Sequence, residues 1–140
     1  MEITPVNPVI ASAFQRQTLA AFAIDNGYPF DTDYFAFAAV NKNKVIGTID
    51  GYTLYDWAYV TFLAVDPKQR GNGVGSKLLS KVENDMRAAG FVGIQIDTFR
   101  YQAPEFYLAR GYTERMVLKG RKPEQDRIYF ELQLAPPKKK

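Results

Sequence analysis

A chain of 140 residues with 46% hydrophobic and 24% charged residues has the balance of one globular domain built on one core. It holds neither cysteine nor histidine, which excludes disulfides and thiolate chemistry and removes the usual general base and the commonest zinc ligand, so no metal site is expected. The net charge of +3 is matched by Lys138, Lys139 and Lys140 alone, which leaves the remainder near neutral and does not point to nucleic acid.

Residues 1–5 lack a basic region followed by an apolar one and do not read as a signal peptide. No apolar run reaches the ~18–20 residues of a membrane span, so a cytoplasmic protein with no membrane partner is expected. Residues 3–6 read as a short first strand. Asn7 is a suitable N-cap and Pro8 a suitable first helical residue, predicting a helix over 8–24 stopped at Gly27. Three strands joined by short turns follow, over 34–40, 45–53 and 58–65, and imply an antiparallel meander. The period then changes. Val74, Leu78, Val82 and Met86 recur every four residues, which predicts an amphipathic helix ending at Gly90. Residues 91–97 return to strand, so the strand–helix–strand unit predicts a parallel pair. A short helix over 103–110 and a hairpin of strands over 112–119 and 126–134 complete the domain, 1–135. Residues 136–140 form a basic tail.

The chemistry concentrates between the third meander strand and the amphipathic helix. There Arg70, Gly71, Asn72, Gly73, Val74, Gly75 and Ser76 place three alternate glycines at the start of a helix. Such glycines let backbone N–H groups approach a ligand, and a helix N-terminus favours an anion. Arg70 and Lys77 add positive charge. A Walker-type loop is excluded because three residues, not four, separate Gly71 from Gly75, and Ser76 precedes Lys77. A dinucleotide fingerprint is one residue longer, although Asp97 sits near the place of a ribose-binding acid.

Arg70 to Gly75 resembles the R/Q-x-x-G-x-G/A pyrophosphate loop of the GNAT N-acetyltransferases, preceded by an L-x-V strand end, Leu63, Ala64 and Val65. A second segment, Ala103, Phe106, Tyr107, Gly111 and Tyr112, resembles that family's A-x-x-F/L-Y-x-x-x-G-F/Y motif in the expected place. The resemblance implies an α/β fold: a single mixed, mostly antiparallel twisted sheet of about seven strands with flanking helices, its central parallel strands splayed to admit acetyl-CoA as cosubstrate. It implies transfer of an acetyl group to a primary amine by direct attack in a ternary complex. Leu63, Ala64 and Val65 would border the pantetheine arm, and Arg70 to Ser76 would hold the pyrophosphate. Ala103 would flank the cofactor, and Tyr107 would protonate the leaving thiolate as general acid.

Two positions depart from the family pattern. Arg100 stands where relatives often carry a cofactor-binding Asn, so it either meets the phosphates or faces solvent. Tyr59 stands where several relatives carry a basic Glu, which leaves Tyr59, Asp50, Asp31 or water as the base. Tyr28, Phe30, Tyr34, Tyr52, Tyr55 and Trp57 suit a cationic acceptor, core packing or a homodimer contact. A small-molecule amine and a peptide or protein amine both stay open as acceptors. A non-catalytic acyl-CoA binder is the alternative, with a nucleotide-binding domain behind it.

Overall fold

The computed structural model describes residues 1–134, so the basic tail predicted at 136–140 lies outside the described residues. The chain divides into two compact units, Met1–Asp31 and the remainder from Thr32 onward. In the first, helix α1 spans Pro8–Asp25. The Asn7 side chain accepts a hydrogen bond from the Val9 N–H at 2.9 Å, and Pro8 occupies the first turn, where a missing N–H costs nothing. Residues 3–6 do not form the expected strand. Pro5 removes one donor from a four-residue segment, too few to sustain a ladder.

In the second unit, β1 (Thr32–Asn41), β2 (Lys44–Leu54) and β3 (Trp57–Val65) form the antiparallel meander. Helix α2 (Val74–Ala88) crosses to β4 (Gly93–Phe99), which lies parallel to β3. Helix α3 (Pro104–Ala109), β5 (Thr113–Leu118) and β6 (Arg127–Gln133) follow. Among the described residues the sheet therefore has six strands, not seven, in the order β1-β2-β3-β4-β6-β5. Its core sits under α2. Ile49, Val60, Ile94, Ile96, Ile128 and Phe130 from the strands meet Leu78, Leu79, Val82 and Met86 from the helix. Alternation follows from the strand period of two, and the fourfold spacing on α2 turns its apolar side to the same layer.

Two irregularities shape the sheet. The parallel ladder between β3 and β4 runs only from Trp57↔Gly93 to Val60↔Ile96. Beyond it the strands part, because β4 stays paired with β6 through Phe99↔Arg127 while β3 stays paired with β2. The second is a bulge in β3: Asp50 opposes Phe62 and Gly51 opposes Val60, so Thr61 has no partner. Gly51 makes the bulge sterically feasible, since a Cβ there would fall 2.0 Å from the Tyr59 carbonyl oxygen.

Candidate active site

The parting of β3 and β4 opens a cleft of about 860 Å³. Its β3 wall is Val60 to Val65 and its β4 wall is Ile96, Asp97 and Thr98. The Phe62 N–H is turned toward β2, where it meets the Asp50 Oδ1 at 3.1 Å. Backbone groups alternate in direction along a strand, so Leu63 and Val65 turn theirs toward the cleft.

At the mouth, Asp66 accepts from the Lys68 N–H at 3.0 Å and starts a single 3-10 turn, Pro67–Gln69. The chain then enters α2 through Gly73, whose φ of +77° only glycine adopts without strain. The first helical bond runs from the Lys77 N–H to the Gly73 carbonyl at 3.0 Å. The amides of Val74, Gly75 and Ser76 precede it, and no side chain among the described residues caps them. These orphan donors, the helix dipole and Arg70 converge on the cleft, and a phosphate group fits that set. None of the described residues lies within 4 Å of a Cβ built at Gly71 or Gly73, so the loop surface is open to a ligand.

The far wall is α3. Tyr107 is 9% exposed and packs against Phe106, Tyr112 and Phe130 with ring centroids 5.2, 5.8 and 5.8 Å away. Its hydroxyl has no hydrogen-bond partner among the described residues. Burial, reinforced by the Asp97 carboxylate, pushes its pKa up to about 12. The tyrosine is therefore neutral throughout the physiological range.

A buried network fixes α3 to α2. Glu83 is 8% exposed; its Oε1 accepts from Arg110 Nη2 at 2.7 Å and its Oε2 from the Tyr112 hydroxyl at 2.9 Å. Arg110 also donates to Ser80 Oγ at 2.8 Å and lies over the Phe106 ring, 5.8 Å from its centroid. Burial and the adjacent Glu83 carboxylate raise the Tyr112 pKa well above the usual phenol value.

A model of the Acetyltransferase (GNAT) family matches residues 8–112. The chain belongs to this family. It is 35% identical over 80 residues to blasticidin-S acetyltransferase of Streptomyces morookaense, an alignment covering 56% of this chain and 59% of that one. The chain spans little more than half the length of the curated relatives it matches. A solved structure from Agrobacterium tumefaciens, assigned to the acetyltransferases, superposes with a TM-score of 0.83 at 28% identity, covering 95% of this chain and 98% of that one. The fold also matches an aminoglycoside 6'-N-acetyltransferase solved with coenzyme A, with a TM-score of 0.64 at 20% identity over 99% and 98% of the two chains.

Of the residues singled out by the GNAT resemblance, Leu63, Ala64, Val65, Arg70, Gly71, Gly73, Val74, Gly75, Ser76, Ala103 and Tyr107 all line the cleft. Asn72 and Arg100 are not among its lining residues. Arg100 instead donates to Asp126 Oδ2 at 3.3 Å. Asp126 also accepts from the Gly120 N–H at 2.9 Å, and this bond, helped by Arg100 and Lys119, holds its carboxyl below the usual range. Asp97, considered as a ribose ligand, is held by Arg127 at 2.6 Å. Tyr59 stacks on Tyr52, with centroids 5.1 Å apart, and does not line the cleft.

Sequence reasoning missed Gln102 and the Glu83 network. Gln102 lines the cleft, and its side-chain oxygen accepts from the Phe99 N–H at 3.0 Å and the Thr98 hydroxyl at 3.2 Å. Those bonds assign the side chain's orientation and leave its NH₂ to bond elsewhere. Glu83 lies one position from the apolar stripe of α2, and that placement was the only signal of its burial.

Proposed function

We propose that the protein is an acetyl-CoA-dependent N-acetyltransferase acting on a primary amine of a small molecule in a ternary complex, within a single acetyltransferase domain of residues 1–135. The observation that carries this reading is the gap between two parallel strands leading from an uncapped helix N-terminus to Tyr107, a largely buried tyrosine that lines the cleft and whose hydroxyl has no partner among the described residues. A pyrophosphate would rest on the amides of Val74, Gly75 and Ser76, with Arg70 beside it. Leu63 and Val65 would pair with the amide groups of the pantetheine arm. The contact expected of position 100 would fall to the Gln102 NH₂, since Arg100 is held by Asp126. The name of the blasticidin-S relative supports a small-molecule acceptor over a peptide one.

Tyr107 would donate its O–H to the sulfur as the carbon–sulfur bond breaks and the carbon–nitrogen bond forms. Its pKa of about 12 refines the general-acid reading. Outright transfer to a free thiolate, whose thiol has a pKa of ~8.5, runs uphill by ~3.5 units or ~5 kcal/mol. The donation must therefore be coupled to proton loss from the acceptor nitrogen, so that the sulfur gains one proton and the phenol is restored. Asp97 is the one carboxylate among the cleft-lining residues, and it is paired with Arg127. An acceptor arriving as the free amine needs no stronger base.

The same absence of an unpaired carboxylate favours a second reading, a protein that binds acyl-CoA without transferring the acyl group. A thiol-release assay with acetyl-CoA and a panel of primary amines, run beside direct titration of acetyl-CoA, separates the two. Turnover establishes the transferase. Binding without turnover on any amine class supports the binder, and failure to bind removes both.

A further inference from the structure

On the sheet face opposite the α2 layer, a second hollow of about 420 Å³ adjoins the cleft. The strand period places its walls. Asp50 and Tyr52 alternate with Ile49 and Gly51, which face the core, and their register partners on β1 are Ala36 and Tyr34. The small Ala36 side chain leaves the space beside the Asp50 carboxylate open. The Tyr34 and Tyr52 rings stand 6.3 Å apart, and Tyr52 is backed by Tyr59 in a stacked pair. Thr61, the unpaired residue of the bulge, lines both the hollow and the cleft and so marks where they meet.

A carboxylate beside tyrosine rings above an alanine floor is a site for a cation. The cation held there is not the reacting one. A carboxylate stabilises the ammonium form of an amine beside it, and an ammonium has no lone pair with which to attack. Asp50 is also not free to swing into the cleft, because its Oδ1 accepts from the Phe62 N–H. We propose that this hollow anchors a second, non-reacting cationic group of the acceptor, so that the protein selects molecules carrying two amino groups, one held as the ammonium against Asp50 and one that reaches past Thr61 as the free base. This proposal rests on the transferase reading above for the reacting end, while the anchor itself can be read without transfer.

The test compares α,ω-diamines of three to eight carbons with alkyl monoamines of the same lengths. At the best length kcat/KM should favour the diamine by about tenfold, the worth of one charge-assisted contact. Asp50→Asn keeps the acceptor for the Phe62 N–H and removes the charge; it should bring the ratio close to one through KM, with acetyl-CoA affinity unchanged. Tyr52→Leu should reduce the ratio severalfold. A ratio near one in the wild type overturns the proposal. So does an Asp50→Asn variant that lowers kcat equally for both series, which would make Asp50 a proton acceptor. Calorimetric titration of the diamines into CoA-loaded protein reads the hollow when no amine turns over. Binding that disappears in Asp50→Asn supports the anchor even where the transferase reading has failed, and equal binding of diamine and monoamine overturns it.

Discussion

Replacing Tyr107 by Phe removes one oxygen and keeps the ring. The contacts to Phe106, Tyr112 and Phe130 are ring contacts and survive, and the lost hydroxyl had no partner among the described residues, so stability should change by less than ~0.5 kcal/mol. Acetyl-CoA affinity should hold within about threefold, because in the proposed mechanism the hydroxyl serves the developing charge on sulfur and not the bound ground state. The loss falls on kcat. A hydrogen bond to a charged group contributes ~1.5–3 kcal/mol, which corresponds to roughly 10- to 150-fold. The pH profile adds a sharper check. With a pKa of about 12, only about one Tyr107 in a thousand is ionised at pH 9, so the ratio of wild-type to variant kcat should stay constant from pH 6 to 9. Thiol-release kinetics across that range, with saturating acetyl-CoA, measure both quantities. An unchanged kcat, or a ratio that falls with a midpoint below pH 9, would refute the role given to this residue.

Three further outcomes follow from the same geometry. Gly73→Glu should abolish acetyl-CoA binding by titration, while Gly73→Ala, which carries the same φ > 0 strain of ~1 kcal/mol without the charge, should retain it; equal loss in both variants would assign the effect to strain. Glu83→Ala leaves the Arg110 guanidinium and the Tyr112 hydroxyl without their shared partner and should cost ~3 kcal/mol in urea unfolding, with a smaller loss for Glu83→Gln; a cost under ~1 kcal/mol would show that the network does not hold α3. At alkaline pH the sign is set by a folded-state pKa raised above its unfolded value: the contribution of neutral Tyr107 is complete below pH 10 and is lost as pH rises through about 12. Between pH 9 and 11.5 the wild type should therefore lose ~2 kcal/mol more than Tyr107→Phe, and parallel losses would contradict the burial of that side chain.

Periodicity and turn chemistry determined most of the element order by themselves. Asn7 and Pro8 mark a helix start by local hydrogen bonding, the fourfold spacing from Val74 to Met86 marks a helix by geometry, and the meander strands end where polar residues interrupt the pattern. These signals act within a few residues, and sequence carries them directly. The glycine loop was legible for the same reason, since a positive φ at a helix N-terminus is a local demand. Residues 3–6 misled because a segment of four residues says nothing about whether a neighbouring strand edge is there to receive it.

Tertiary structure decided whatever depends on residues far apart in the chain. Arg100 stands where the resemblance led us to expect a cofactor contact, yet Asp126, brought beside it by the β4–β6 pairing, takes its guanidinium. Glu83 and Arg110 are each ordinary surface residues by sequence, and only the packing of α3 on α2 buries their charges together. The cleft itself exists because β4 follows β6 while β3 follows β2, and Thr61 joins it to the hollow around Asp50 because one extra residue fits opposite Gly51. Register and strand divergence are properties of pairing between chains of residues, which no single stretch encodes.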